Sequence, residues 1–253
     1  MKLLLFALLL AVSYHAAAQT AASATATSGP QPIMKLPPPP AALPENATAA
    51  QKAEFARQML DWERRRWNFL LTDSTARARI LNEAPNTLLV EAVQGHKAGS
   101  ALDVGMGEGR NALYLAQQGW QVTGVDVADK ALAYAQKKAQ ALKVNITTLQ
   151  QDADQYDWGK NKWDLIVLSY AGGREYAPKV MQALKPGGLV VLEGFHKDAT
   201  QTMKIGDGVV YGTDELKQLY TAAGLRIVRY EEPMGTSDFG KRQVRLVKLV
   251  AQK

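Results

Sequence analysis

A doubly wound α/β domain, with a mostly parallel sheet whose last strand runs antiparallel, is the fold this sequence predicts, and three observations predict it. From Ala101 onward, short apolar runs alternate with amphipathic segments, the pattern of right-handed βαβ units. The first run, Ala101-Leu102-Asp103-Val104, stops at a glycine-rich turn, Gly105-Met106-Gly107-Glu108-Gly109, and a helical pattern follows it. Glycines there let the backbone take positive φ and let a ligand approach the main chain. The last two runs, residues 225–231 and 243–251, have no helical segment between them and are expected to pair antiparallel.

The elements follow in order. Phe55, Met59, Trp62, Arg66 and Phe69 recur at spacings of four and three, one face of a helix that leads into the domain. A second short helix is expected after Asp73 or Ser74. A third is expected after Pro85-Asn86, where Asn86 can cap and Leu88, Leu89, Ala92 and Val93 turn inward. Then come strand 101–104, helix 110–118 stopped at Gly119, strand 121–125, helix 129–142, strand 146–150 and a buried strand 163–168. Helix 176–184 ends at Lys185-Pro186-Gly187-Gly188, where proline and glycine forbid its continuation, and strand 188–192 follows. Thr213 is expected to cap helix 214–223, with Gly224 just past its end.

At 253 residues the chain can bury one sizeable core, and one domain is expected. Met1-Lys2, an apolar run over 3–12 and small residues at 16–18 have the layout of a secretory signal peptide cleaved after Ala18. The apolar run is about ten residues where a span needs roughly 20, so no membrane span is expected. Export to the periplasm or beyond is the corresponding expectation; a cytoplasmic protein that starts at Met34 is the alternative. Residues 19–50 are Ala, Thr, Ser and Pro, including Pro37 to Pro40, and read as a disordered linker. Helices fill 51–98 and the α/β core fills 99–253.

The absence of cysteine excludes disulfides, thiolate metal sites and a cysteine nucleophile. The three histidines lie far apart and no metal site is expected. A formal net charge of +6 is spread without a long Lys/Arg block, so no nucleic-acid partner is expected either. The sequence leaves oligomeric state open.

Ligands of open α/β sheets bind at the carboxyl ends of the strands. Asp126 closes the second strand about 20 residues after the first glycine, where a carboxylate can accept from both ribose hydroxyls of a nucleoside. The third strand ends in Gln151-Asp152-Ala153-Asp154. The turn G-x-G-x-G preceded by Asp103, the stretch Leu115-Ala116-Gln117-Gln118-Gly119-Trp120 and the turn Leu184-Lys185-Pro186-Gly187-Gly188 together resemble the class I S-adenosylmethionine-dependent methyltransferases. The resemblance is nearest to the small-molecule branch that includes tellurite-resistance and thiopurine-type enzymes.

That resemblance implies a Rossmann-like, seven-stranded sheet and S-adenosyl-L-methionine as cofactor, with the N-terminal helices as part of a lid. It further implies that Asp103, Gly105, Met106, Gly107, Arg110, Asn111, Asp126, Val127, Asp152, Ala153 and Ser169 hold the cofactor. Asp103 would orient the methionine ammonium, Asp126 the ribose, and Asp152 and Val127 the adenine. After the fourth strand the chain reads Leu168-Ser169-Tyr170-Ala171-Gly172-Gly173, without the N/D-P-P-Y/F signature of enzymes that methylate nucleic-acid bases.

Candidate catalytic residues must also sit on the carboxyl edge, and Tyr170, Glu193 and His196 do so. His196 has the pKa suited to proton acceptance near neutrality; in the alternative, Glu193 and His196 only hydrogen-bond the loop that runs to Tyr211. Substrate choice is expected in loops 194–211 and 233–242, with Phe195, Met234 and Phe239 as apolar contacts and His196 or Arg242 as a polar handle. Methyl transfer to a small molecule is the expected function. Methylation of a protein or RNA, and a non-catalytic cofactor-binding module, are the alternatives.

Overall fold

The computed structural model describes residues 38–203, 205 and 207–253. The expected signal peptide and most of the expected linker lie outside the described residues. Three helices come first: α1 (Ala49–Thr72), α2 (Ser74–Ile80) and α3 (Thr87–Val93). Each start has a chemical cause. Thr48 and Gln51 form a reciprocal capping box, Asp73 accepts from the Ala76 N–H, and Asn86 accepts from the Leu89 N–H.

The core comprises β1 (Ser100–Val104), α4 (Arg110–Gln117), β2 (Gln121–Asp126), α5 (Asp129–Leu142), β3 (Ile146–Gln150), β4 (Trp163–Ser169), α6 (Ala177–Ala183), β5 (Leu184–His196), β6 (Val210–Tyr211), α7 (Glu215–Ala222), β7 (Arg226–Glu231), β8 (Met234–Thr236) and β9 (Gln243–Gln252). The main sheet runs β3-β2-β1-β4-β5-β9-β7. β1 to β5 pair parallel, whereas β9 is antiparallel to both β5 and β7. The antiparallel last strand is therefore inserted between two others. Strand order reverses between β1 and β4, which opens a crevice at their carboxyl ends.

Strand alternation divides the core between the two faces of the sheet. Leu102, Val104, Ile166, Leu168, Val190 and Leu192 point to the side covered by α6 and α7. Ala101, Val122, Leu165, Val167, Leu189 and Val191 point to the side covered by α3, α4 and α5. These residues are at most 6% exposed, and each large one contributes about 1.5–3 kcal/mol relative to an exposed position.

Four expectations need correction. β5 begins at Leu184, not at Gly188, because Trp163 pairs with Leu184 before a register shift in the β4–β5 ladder. Thr213 does not cap α7: Asp214 holds the N-cap position at φ 56°, and the Glu215 carboxylate accepts from the Gly212 N–H at 2.7 Å. Two short strands, β6 and β8, join the seven of the main path as additions to β5 and β9. Helix α1 also starts inside the segment read as linker, and Ala47 ahead of it is already buried.

Candidate active site

A cleft of about 560 Å3 opens at the carboxyl ends of β1, β2, β3 and β4. Its floor starts with the glycine turn. Gly105, Gly107 and Gly109 have φ of 65°, 56° and 84°, a region that costs other residues about 1–2 kcal/mol. The turn is tied to the second strand: Gly105 and Met106 donate to the Val125 carbonyl at 2.8 and 3.2 Å. A Cβ on Gly105 would come within 2.6 Å of the Ala171 side chain, and one on Gly107 within 3.2 Å of Leu71. Met106 turns its sulfur into the core, over Gly124, where any Cβ would collide with it at 1.9 Å.

Asp126 stands beside the turn. Its Oδ2 accepts from the Gly107 N–H and its Oδ1 from the Ala128 N–H, both at 2.8 Å. Burial raises its pKa, and those backbone donors oppose the shift. Asp152 is raised by burial as well, and its Oδ1 accepts from the Asp154 N–H at 2.9 Å. Gly105, Met106, Gly107, Arg110, Asp126, Val127, Asp152, Ala153, Ser169 and Tyr170 all line this one cleft.

The remaining expected residues stand behind its wall. Asp103 is 2% exposed and its Oδ2 has no hydrogen-bond partner. Burial pushes its pKa up to about 7, against the pull of the Arg110 charge. Asn111 is buried and accepts from the Asn86 N–H at 2.9 Å, which ties α3 to α4. His196 is 1% exposed; its Nδ1 accepts from the Asp198 N–H at 3.2 Å and its Nε2 lies 3.1 Å from the Thr213 hydroxyl. This ring joins β5 to the loop that follows, and it does not face the cleft.

Glu193 is 3% exposed and accepts from the Tyr170 hydroxyl at 2.6 Å, with Lys248 3.5 Å from its other oxygen. Burial and this carboxylate drive the Tyr170 phenol well above its ordinary pKa, so Tyr170 stays protonated and serves as a donor. Neither His196 nor Tyr170 is placed to act as a base toward a ligand. Among the loop residues expected to choose substrate, only Phe239 lines the cleft. Met234 is 68% exposed, Arg242 is exposed, and Phe195 packs behind Tyr170 with ring centroids 4.9 Å apart.

A roof from the N-terminal helices was expected, but the face of α1 that forms it is what sequence reasoning missed. Ala56, Met59, Leu60, Glu63, Trp67 and Leu71 form a stripe on α1 over the glycine turn, and Leu81 and Phe239 complete it. This stripe is rotated from the apolar face expected on α1. The Trp67 and Phe239 rings meet at 5.6 Å, and Leu81 pairs with Phe239 in an isolated bridge. Asp238 pins the roof to the floor. Its carboxylate accepts from Asn82 at 2.9 Å and Asn86 at 2.7 Å and pairs with Arg110 at 2.9 Å, while its N–H donates to the Tyr170 hydroxyl at 3.2 Å. Arg110 in turn reaches the Ser169 hydroxyl at 3.0 Å.

The residues present fit an adenosyl cofactor. Glycines without side chains leave the turn open to a ligand, and Asp126 faces the cleft with lone pairs left for hydroxyls. Among the described residues no cluster of His, Cys, Asp and Glu is placed to hold a metal, and no helix is long and apolar enough to cross a membrane.

Residues 101–188 match the family described as "Methyltransferase domain". A Geobacillus sp. (strain WCH70) protein, provisionally named a methyltransferase, is 32% identical over 131 residues, 46% of this chain and 53% of that protein. TehB of Haemophilus influenzae, provisionally named an S-adenosyl-L-methionine-dependent methyltransferase, is 26% identical over 164 residues, 60% of this chain and 56% of TehB. The chain thus spans about half the length of these curated relatives. Among solved structures, the Burkholderia thailandensis 1,6-didemethyltoxoflavin-N1-methyltransferase with bound 1,6-didemethyltoxoflavin and S-adenosylhomocysteine is similar in fold. Its TM-score is 0.59 at 19% identity, covering 83% of this chain and 93% of that one. With the glycine turn, the strand order and the inserted antiparallel strand, these matches show a methyltransferase domain over residues 101–188, similar to S-adenosylmethionine-dependent methyltransferases, with S-adenosylmethionine as its cofactor.

Proposed function

We propose that this protein transfers a methyl group from S-adenosylmethionine to a small molecule. The observation that carries the reading is the roof: α1 and the segment around Phe239 cover the glycine turn and leave a cleft of about 560 Å3, a size suited to small ligands. A folded macromolecule would have to displace Trp67 and Phe239, which pack on each other at 5.6 Å.

When bound, the cofactor supplies a methyl group on a sulfonium, whose departure leaves a neutral thioether. Gly105 and Gly107 would admit it to the main chain, Asp126 would accept from its ribose, and Asp152 with Val127 would flank its base. Ser169 and Tyr170 would lie at the switch point between β1 and β4, where donor and acceptor must be aligned. The roof would shield the bound cofactor from water. No side chain at the Tyr170 end is a ready base, so alignment and desolvation carry the rate enhancement. Incubation with S-adenosylmethionine and a panel of small acceptors, with S-adenosylhomocysteine as the measured product, is the test. Release of S-adenosylhomocysteine with small acceptors is expected; release only with protein or RNA would contradict the reading.

Export is part of this proposal. It rests on the charged start, the short apolar run and the small residues at 16–18. N-terminal sequencing of the native protein should find Gln19 first, and a cytosolic chain starting at Met34 would contradict it.

A further inference from the structure

The two edges of the sheet differ in charge. Asp126, Asp152, Asp154 and Glu175 line the cleft at the carboxyl edge, whereas the opposite, amino edge carries a row of cations. Lys143 precedes β3, Lys97 precedes β1, Lys160 and Lys162 precede β4, Lys185 is the second residue of β5, and Arg226 opens β7. All but the half-buried Lys185 are exposed. The row crosses the main sheet from β3 to β7, about 30 Å at about 4.8 Å per strand. Its middle is held together by hydrogen bonds: the Lys162 N–H donates to the Ala183 carbonyl at 2.8 Å, and Lys185 reaches the Ser100 hydroxyl at 3.3 Å.

These charges are not neutralised in place. Among the described residues, Lys97, Lys143, Lys160, Lys162 and Arg226 form no ion pair. The acidic groups near them are engaged: Asp164 by Lys185 at 2.7 Å, Glu91 by Arg229 at 2.6 Å and Asp157 by the Gly159 N–H at 2.9 Å. Helix dipoles do not account for the row, because α3, α4, α5, α6 and α7 have no basic residue in their last turns. Exposed apolar side chains flank it at both ends. Leu142, 45% exposed, adjoins Lys143, and Val228, 50% exposed, follows two residues after Arg226.

We infer that the amino edge is a docking surface for an anionic phospholipid bilayer, which holds the protein with its cleft turned to the water. A row of exposed cations gains from the negative surface potential of such a bilayer, about fivefold in affinity per cation. Leu142 and Val228 add apolar contact at the two ends. A nucleic acid fits this edge less well. Trp163, beneath the Lys162 ammonium at 4.7 Å, is 3% exposed and offers no stacking platform. Helices α3 to α7 bring their carboxyl ends to this edge, not a side that could enter a groove. Because the edge lies opposite the cleft, the inference stands apart from the methyltransferase reading.

The test is flotation of the full chain with two kinds of vesicle, pure phosphatidylcholine and phosphatidylcholine with about one third phosphatidylglycerol. The anionic vesicles should bind the protein about tenfold or more tighter than the neutral ones, and about 0.5 M NaCl should abolish the difference. Lys97→Gln, Lys160→Gln and Lys162→Gln combined should weaken binding about a hundredfold. Lys52→Gln, Lys241→Gln and Arg242→Gln combined, the same loss of charge away from the row, should weaken it less than about threefold. Circular dichroism checks that both variants fold. Lys97→Gln with Lys143→Gln, two exposed loop positions, repeats the test with an expected loss of about twentyfold. Equal binding to the two kinds of vesicle, as insertion of the apolar run 3–12 alone would give, would overturn the inference. So would no binding to anionic vesicles, equal losses in the two triple variants, or row-dependent binding of a DNA duplex tighter than that of the vesicles. S-adenosylhomocysteine affinity, titrated separately, should be the same in all variants, so a failure of the methyltransferase reading leaves the flotation result standing.

Discussion

The floor and the roof of the cleft are built by different kinds of information. The floor is the more local of the two: three glycines at positive φ, a strand that ends in Asp126 and a second that ends just before Asp152 all fall within residues 105–152. The roof is assembled from afar. Asp238 meets Asn82, Asn86, Arg110 and Tyr170 across separations of up to 156 residues, and Trp67 meets Phe239 across a longer one. The comparison teaches that the cofactor end of this site is encoded by backbone geometry and the acceptor end by tertiary contacts. The two should therefore respond separately to mutation.

The strongest separation is expected at Gly107. Gly107→Val puts a β-branched side chain at φ 56° and against Leu71, at the point where floor and roof touch. Circular dichroism should show a folded protein and calorimetry should show no S-adenosylhomocysteine binding. Retained binding would make the turn merely structural.

Next in effect on the cofactor comes Asp126→Ala. A ribose would lose a charge-assisted acceptor worth about 1.5–3 kcal/mol, and the Gly107 and Ala128 N–H groups would lose theirs. Affinity for S-adenosylhomocysteine should fall by about tenfold to a hundredfold. Unchanged affinity would remove Asp126 from the site.

Asp238→Ala should show the opposite profile. It strands Arg110 and two asparagine amides at a buried position, a loss of about 3 kcal/mol in stability, read as a melting midpoint lowered by roughly 6–12 °C. S-adenosylhomocysteine affinity should change by less than about threefold, while turnover of any acceptor found should fall much further. A variant that loses cofactor and keeps acceptor selectivity would break the division between floor and roof.

Asp103 should affect cofactor affinity least, since it stands behind the wall, and its signature is a pH dependence of stability. An unfolded Asp titrates at about 3.9, and burial pushes this one up to about 7. Between those values the native state keeps a proton that the unfolded state has released, so stability falls as pH rises through the window. The loss is complete above about pH 7, and below about pH 4 there is none. Asp103→Asn should flatten that slope and melt higher than the parent at pH 8 but not at pH 4. Identical pH profiles would contradict the account.

Much of the floor was legible because its signals are short-range. Glycine spacing, the short apolar runs over 101–104 and 163–168, and the acidic ends of two strands each fix their own geometry. The helix caps at Asp73 and Asn86 were readable for the same reason. Thr213 was not, because its hydroxyl is taken by His196, a partner that sequence spacing does not reveal. The face of α1 in the roof was misread for a related reason. Apolar periodicity picks the face of α1 richest in carbon, whereas the face that meets the cleft carries Glu63 between Met59 and Trp67. His196 and Glu193 sit at the carboxyl edge as expected, but only side-chain direction reveals that one bonds Asp198 and Thr213 and the other holds Tyr170.

The central claim is that this glycine turn and Asp126 form an S-adenosylmethionine site and not a dinucleotide site. A calorimetric titration of the full chain with S-adenosylhomocysteine, followed by competition with NAD, tests it most directly. The account predicts one S-adenosylhomocysteine per chain, with NAD unable to displace it. Binding of NAD more tightly than S-adenosylhomocysteine, or no binding of S-adenosylhomocysteine at all, would contradict it.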